Sequence, residues 1–535
     1  MDFSKLNLSD NQELARIIVT RAVNKNFKNR RDFEIFRNKI IKEYKGKIFH
    51  NLYFIKAYND LLEVGKIKPN LGFLNLIQKR SVRTQSGVAP VTVLTKPYPC
   101  PGRCVYCPTD ARMPKSYLPS QPAAQRAFRQ RFDPYTQVIV RLNALQMTGH
   151  EVSKVELRII GGTWSNYPKN YQTWFVKRCL IAMNDFFEKS KGSNKTFDEV
   201  ISENEMAKVR CIGINIETRP DFVTEKEARR LRELGITKVE IGVQTVYDKI
   251  HKLNCRGHGM QEVKNATRIL RDAGFKIGYH MMPNLPGSTP EMDKKMISEL
   301  FKNSDYQPDY LKIYPCVVIP KTVLSKWFKD GKYKSYGDKI LEDVIFEEMR
   351  SIPEWCRVDR VARDIPSGDI EEGSKISNIR QLLDNRMKKE GISFREIRSR
   401  EIKSGLVDAK DLVFVVREYP ASHGSDFFLS YEDLKKNKLI ALLRLRFPWK
   451  TFIREINGAS LIREVHVYGQ QVAVGEKTRG ESQHLGFGTK LLSEAEKISR
   501  LAGYKKIAVI AGIGTREYYK KRGYKLHGTY MVKTL

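Results

Sequence analysis

Cysteine is scarce in this chain, with eight residues in 535. That is too few for a disulfide framework, so an oxidising compartment is not expected. Acidic residues are outnumbered: 61 Asp and Glu stand against 95 Lys and Arg, a net charge of +34. The excess points to a polyanionic partner; its bland alternative is the Lys-rich solvated surface of heat-adapted proteins. No run approaches the roughly 20 apolar residues of a membrane span, which excludes a helical membrane protein and favours nucleic acid over lipid as the partner. Residues 1–19 are polar and lack the apolar core of a secretory signal, so a reducing, cytoplasmic setting is expected.

Three of the cysteines are concentrated in Cys100-Pro-Gly-Arg-Cys104-Val-Tyr-Cys107-Pro108. This stretch follows the β-branched run Val91-Thr-Val-Leu-Thr95, which reads as a strand, so the thiols sit on the loop leaving it. Parallel-sheet proteins place their chemistry there. Three thiolates without an obvious fourth suit an iron–sulfur cluster that keeps one iron open. The alternative is zinc, but structural zinc sites usually close four ligands in two pairs, and there is no second Cys-x-x-Cys. The spacing resembles the signature of the radical S-adenosylmethionine (SAM) enzymes, in which the open iron of a 4Fe-4S cluster chelates SAM. The other cysteines, Cys179, Cys211, Cys255, Cys316 and Cys356, read as small core residues.

Residues 1–80 hold 17 Lys or Arg against 8 Asp or Glu. Asp10 can cap a helix carrying Leu14, Ile17 and Ile18 on one face, and Phe33, Phe36, Ile40 and Ile41 repeat the spacing. Two helices with a basic outer face would make a phosphate-contacting module or a solvated cap. Residues 81–320 alternate strands and helices, with strands predicted at 91–95, 154–160, 209–216, 238–243, 275–279 and 310–314. Six such units imply a partial (β/α)6 barrel with its site at the C-terminal strand ends. Those ends carry Gly161, Gly162, Glu217 and Gln244, of which the glycines allow close backbone approach and the polar side chains can bind an amino group or ribose hydroxyls. They are the candidate SAM ligands.

Residues 321–395 read as a charged connector in which Arg360 and Arg363 contact phosphate or lock the domains together. Residues 396–535 form a second α/β module with strands at 411–416, 439–445, 462–468 and 506–510. There Gln483-His-Leu-Gly486-Phe487-Gly488 opens a helix predicted over 489–501, whose N–H groups can cradle a pyrophosphate. With Tyr518-Tyr519 downstream, the order resembles the GCN5-related acetyltransferase fold.

A barrel of this kind fused to such a module resembles the family of Elongator catalytic subunits, the tRNA carboxymethyluridine synthases, in an archaeal or bacterial form. Arg83-Thr-Gln-Ser-Gly-Val, Arg131-Phe-Asp-Pro-Tyr135, Gly149-His-Glu-Val-Ser-Lys154, Tyr419-Pro-Ala-Ser and Tyr530-Met-Val-Lys533 strengthen the likeness. The resemblance implies that Cys100, Cys104 and Cys107 ligate the cluster. It also implies that acetyl-CoA contacts Lys154, Glu464, Val465, His466, Val467, Gly486, Phe487, Gly488 and Tyr518, with Lys154 and Tyr518 in catalytic positions. The implied reaction takes a hydrogen from the acetyl methyl, adds the carbon to C5 of the wobble uridine, restores the ring by oxidation and hydrolyses the thioester. The tRNA anticodon arm is the implied partner, and a homodimer, or further Elongator-type subunits where the host encodes them, is admitted. The competing functional reading is a protein lysine acetyltransferase with a structural or SAM-sensing barrel. Many relatives space the first two cysteines further apart, and eukaryotic ones carry a Cys/His cluster near residues 394–411 that has no counterpart here.

Overall fold

The computed structural model describes residues 9–44, 51–77, 87–188, 194–402, 409–469 and 486–535. The chain divides into two compact units, residues 1–89 with 140–153 and residues 90–139 with 154–535. Among the described residues no helix is long and apolar enough to cross a membrane.

The first unit contains four helices, Ser9–Ala22, Arg30–Glu43, Leu52–Glu63 and Leu71–Ile77, where the sequence suggested two. Leu14, Ile18, Phe33, Ile40 and Ile41 are buried as their spacing requires, and Tyr53, Phe54, Ile55, Tyr58 and Phe73 from the two further helices complete that core. The Asn29 side chain caps the second helix by accepting from the Asp32 N–H at 3.1 Å, satisfying one of the donors a helix start leaves open. The cap read at Asp10 rests on a side chain outside the described ones.

The second unit is built on two seven-stranded sheets. The first runs in sequential order through β1 (Ala89–Leu94), β2 (Lys154–Ile160), β3 (Arg210–Thr218), β4 (Lys238–Gln244), β5 (Lys276–Met281), β6 (Tyr310–Ile313) and β7 (Arg357–Val361). From β2 to β7 every pairing is parallel. The barrel thus has seven strands rather than six, and the seventh lies inside the stretch read as a connector. That stretch also holds the helices Val323–Lys329, Asp338–Arg350 and Ile379–Lys389. Its Arg-Val-Asp-Arg-Val pattern hid the strand because one face is charged, although only Val358 and Val361 need face the core.

The second sheet comprises β8 (Val413–Ala421), β9 (Gly424–Asp433), β10 (Lys438–Phe447), β11 (Ser460–Val467), β12 (Lys506–Val509), β13 (Lys525–His527) and β14 (Tyr530–Thr534), in the order 13-14-12-11-10-9-8. Only β11 and β12 pair in parallel. The helix Phe487–Leu501 packs Phe487, Leu491, Leu492 and Ala495 against Leu443, Ile462 and Ile507, each large side chain contributing about 1.5–3 kcal/mol by leaving water.

The barrel and the second sheet meet along one seam. Gly512 lies so close to the Ile212 carbonyl that a Cβ there would collide with backbone, and Gly514 is similarly tight against Arg210. Arg516 pairs with Glu205 at 2.8 Å, and the Tyr530 hydroxyl donates to the Ala273 carbonyl at 2.8 Å. Trp355 stacks on Tyr419 at 4.3 Å.

Within the barrel's outer layer, Glu348 is fully buried and neither carboxyl oxygen has a hydrogen-bond partner. Burial lifts its carboxyl well above the usual range, and Asp293 adds to the effect. A raised folded pKa costs stability once pH exceeds the unfolded value of about 4.3, where only the unfolded chain ionises freely. Glu348→Met should therefore stabilise the protein more at pH 8 than at pH 5, by an amount on the order of 1 kcal/mol or more in unfolding free energy. Equal melting curves at both pH values would remove this account.

Candidate active site

The three cysteines sit where the loop after β1 crosses the C-terminal ends of the barrel strands. All three are half-buried and none is in a disulfide. Cys100 Sγ lies 3.5 Å from Thr163 Oγ1, just past β2. A guanidinium N–H of Arg256 donates to Cys104 Sγ at 3.4 Å. Burial and the neighbouring Cys104 push the Cys107 thiol up to about 11, so it ionises at neutral pH only when a metal replaces its proton. Free thiols on one loop, framed by buried guanidinium donors, fit a cluster held by three ligands with one iron open. Arg363, offered as a phosphate contact or domain lock, instead donates to the Ser116 carbonyl at 2.7 Å on the loop after the cysteines. Arg360 pairs with Asp364.

The candidate SAM ligands surround this loop. Gly161 has φ 137° and touches Thr95 so closely that no Cβ would fit. Gly162, at φ 87°, runs beside the Lys115 backbone. Gln244 ends β4 with φ 75°, rare for a non-glycine residue, and its Oε1 is buried without a partner among the described residues. Such an orphan acceptor suits a ligand donor. Glu217 accepts from the Tyr117 hydroxyl at 3.0 Å and from Lys312 at 3.2 Å.

Below the loop, the concave face of the sheet is polar from end to end. Because side chains alternate along a strand, Glu156 and Arg158 of β2, Asn215 and Glu217 of β3, Lys238 and Glu240 of β4, His280 of β5, Lys312 of β6 and Asp359 of β7 share that face. Gly278 of β5 leaves the room that Glu240 fills. Lys312 pairs with both Glu217 and Glu240, and His280 Nε2 lies 2.8 Å from Glu240. Glu217, Glu240 and His280 come close enough to share a cation, and the Lys312 ammonium already stands between the two carboxylates. Lys238 continues the column, 3.3 Å from Glu240 and 2.6 Å from Asp359, with its ammonium over the Tyr310 ring. Apart from Glu217, these residues were missed from sequence, where only strand ends were weighed; the period-two polar positions were the available signal.

The column ends at the second sheet. Tyr310 donates to Glu464 at 2.5 Å, and Arg444 holds the other oxygen at 2.8 Å. Burial would raise the Glu464 carboxyl, but Lys276 and Arg444 hold it at about 2, so it is a fixed anion. His466 is kept neutral by burial, its Nε2 without a partner, and its ring lies 4.3 Å from that of Tyr468. Gly486 takes the left-handed φ of 68° as N-cap, which starts the helix at Phe487, two residues earlier than expected. Gly488 sits under the Tyr518 hydroxyl and beside Val467. The Arg522 guanidinium lies 3.5 Å from the Tyr518 ring centre. Val467, Gly488 and Tyr518 are thus brought together, and Val465 lies on the same strand. Gln483 falls outside the described residues. Lys154 opens β2 opposite Arg210, the residue packed on Gly514, so it lies at the barrel end nearest the second sheet. Of the cysteines read as core, Cys179, Cys211, Cys316 and Cys356 are buried. Cys255 is exposed, because it occupies a left-handed turn position after the helix Asp248–Leu253.

Comparison with known proteins accords with this geometry. Residues 98–300 match the radical SAM superfamily and residues 308–389 the Radical_SAM C-terminal domain, which overlaps the stretch read as a connector. The chain is 41% identical to the tRNA uridine(34) acetyltransferase of Methanocaldococcus infernus, over 98% of this chain and 100% of that protein. It is 40% identical to the Elongator complex protein 3 of Bos taurus, over 86% of each. The solved structure of the archaeal M. infernus Elp3 with an N-terminal deletion superposes with a TM-score of 0.74 at 42% identity, covering 84% of this chain and 100% of that one. With relatives of this identity spanning most of its length, the chain belongs to the radical SAM family of tRNA uridine(34) acetyltransferases and Elongator complex protein 3.

Proposed function

We propose that this chain modifies the wobble uridine of tRNA, joining radical SAM chemistry at Cys100, Cys104 and Cys107 to acetyl-CoA held by the second sheet, and leaves a carboxymethyl group on C5. The observation that carries the reading is the polar column, which runs unbroken from Tyr117 and Glu217 beside the cysteine loop to Tyr310 of β6 and, through it, to Glu464 on the second sheet. The names of the relatives and the net charge of +34 supply the nucleic-acid half.

When bound, the cluster and SAM would supply a 5′-deoxyadenosyl radical able to take a hydrogen from the acetyl methyl; joining that carbon to uridine C5 then requires loss of one electron to a one-electron acceptor and of the C5 proton, and water cleaves the thioester to give the carboxylate and free CoA. The protein's own residues position and exclude water. Gln244 and Glu217 offer acceptors to SAM's amino or hydroxyl groups. Lys312, fixed between two carboxylates, presents a positive charge at the middle of the concave face. Gly486 to Gly488 expose helix-start N–H groups to the pyrophosphate of acetyl-CoA, with the Val465–Val467 backbone alongside and Tyr518 near the thioester. Lys154 offers a cation to its phosphates from the barrel side. The basic surface holds the anticodon arm, and single-stranded loop bases are the part of RNA that can be splayed into such a site.

The test is anaerobic reconstitution with iron and sulfide, then reaction with SAM, reductant, acetyl-CoA and unmodified tRNA, followed by mass spectrometry of the nucleosides. We expect 5-carboxymethyluridine that is lost in Cys104→Ala. Lysine acetylation that survives Cys104→Ala without SAM cleavage would support the lysine acetyltransferase instead. Tyr518→Phe should lower tRNA-dependent acetyl-CoA turnover on the order of 10²-fold; unchanged turnover would remove Tyr518 from the site.

A further inference from the structure

Two buried guanidinium groups flank the cysteine loop; Arg256 has no carboxylate partner among the described residues, and Arg219 pairs with Asp221 but leaves one nitrogen unpartnered. The loop Asn254 to His258 is zipped to the cysteines by the Val105 N–H, which donates to the Asn254 carbonyl at 3.2 Å. Arg256, on this loop, is 8% exposed. One of its terminal nitrogens donates to the Gly242 carbonyl at 2.5 Å, the other to Cys104 Sγ at 3.4 Å, and its Nε has no partner. Among the described residues no carboxylate lies within ion-pair distance of it. A buried cation without a counter-charge is costly. The sulfur of Cys104 is the contact that becomes an anion when metal binds.

Arg219 approaches from the other side. Two of its nitrogens are held by Asp221 at 2.9 and 2.8 Å. The third is buried, has no partner among the described residues and lies directly over Gly102, where a Cβ would collide with it. The Gly102 N–H in turn points at Cys100 Sγ, 3.4 Å away. Gly102 is therefore the residue that lets a guanidinium rest on the cysteine loop, and Gly257 brings Arg219 within reach of the Arg256 loop.

We infer that Arg256 and Arg219 are positioning residues that set the reduction potential of the cluster held by Cys100, Cys104 and Cys107. This rests on the reading of those cysteines as cluster ligands. Reduction adds one electron to the cluster and makes it more negative. Fixed positive charge and N–H to sulfur hydrogen bonds stabilise the reduced form more than the oxidised one and raise the potential. Arg256 acts directly on one ligand sulfur. Arg219 acts through charge at the Gly102 turn, so its effect should be the smaller.

The test is a redox titration of the reconstituted full-length protein followed by electron paramagnetic resonance, with iron and sulfide content measured in parallel. Arg256→Gln should lower the ratio of reduced to oxidised cluster at a fixed solution potential at least tenfold, about 59 mV for a one-electron couple. Arg256→Lys, which keeps a charge but loses the fork, should fall between. Gly102→Ala displaces the Arg219 guanidinium without removing it and should shift the potential in the same direction by less. A cluster of normal iron content whose potential is unchanged in Arg256→Gln overturns the inference while leaving the cysteine reading intact. Failure of the unaltered protein to hold iron and sulfide overturns both.

Discussion

Asp309→Asn is expected to destabilise the protein by about 3–5 kcal/mol, the cost of leaving one buried charge uncompensated. Asp309 is fully buried at the seam between the barrel and the second sheet. Its oxygens accept from Arg463 at 2.7 and 2.6 Å, and Arg444 lies 3.4 Å away. The same network ties Asp426 to Arg271, Arg446 and Arg463, and Asp272 to Arg446. With Glu464 on Arg444, four arginines balance four carboxylates. Asparagine leaves a net positive charge among guanidiniums that cannot shed a proton. Arg463→Met in the same chain restores neutrality and should recover part of the loss, which separates charge imbalance from lost packing. Burial would raise the Asp309 carboxyl, but Arg463 and Arg444 hold it well below its ordinary range. A depressed pKa gives stability that is present above the unfolded value of about 3.9 and lost as pH falls through the folded one. The deficit should therefore be flat from pH 5 to 8 and narrow only in strong acid. A melting temperature within a degree of the parent's would sink the network account.

How much of this was legible in the sequence depended on whether a residue's signal was local. The strand Lys154–Ile160 was bounded correctly because Val155, Leu157 and Ile159 alternate with charged residues and bury one clean face. The cysteine loop after the first strand and the helix that follows Gly486 were legible because their signals lie in consecutive residues, although the left-handed turn at Gly486 starts that helix two residues earlier than expected. β7 was not, because Arg357 and Asp359 look like solvated surface until the polar concave face they join is known. β9 was missed because its buried face includes Asp426, Ser430 and Glu432, which gain partners only from Arg463, Arg446, Arg417 and Arg400 elsewhere in the chain. In each case the missing information was a long-range ion pair, which no local window contains. Cys255 shows the converse: it was read as core with the other scattered cysteines, but its neighbours Asn254, Arg256 and Gly257 are polar or turn-forming, and the turn places it outside.

Glu240→Gln should uncouple the two ends of the barrel. Glu240 stands at the middle of the polar column, accepting from Lys312, from Asn215 at 2.7 Å and from His280 at 2.8 Å, with Lys238 at 3.3 Å. Burial would raise its carboxyl, but Lys312, Lys238 and His280 hold it well below the ordinary range, so in the parent it is an anion throughout the working pH range. Glutamine keeps the shape and removes the charge. Lys238 retains Asp359 at 2.6 Å, whereas Lys312 is left with Glu217 alone and should lean toward the cysteine end. A displacement of about 1 Å in such a group can cost on the order of 10²-fold in rate. The expected result is SAM cleavage that persists while uridine modification falls by about that factor, so the ratio of SAM consumed to uridine modified rises. The pH response has a definite sign. In the parent, burial works against the Lys312 ammonium, but Glu240 and Glu217 hold its pKa well above the ordinary value, so its stabilising contribution is present at all pH values below about 10.4. Without Glu240 the largest influence that raises Lys312 is gone, leaving Tyr314 and Glu217 against burial, and the folded pKa is expected to drop below the unfolded one. The unfolded chain then binds more protons, and stability rises with pH. The stability deficit of Glu240→Gln should therefore shrink from pH 6 to pH 9, where the parent is flat. If the ratio of SAM cleaved to uridine modified stays at the parent value, the column is structural and does not couple the two ends.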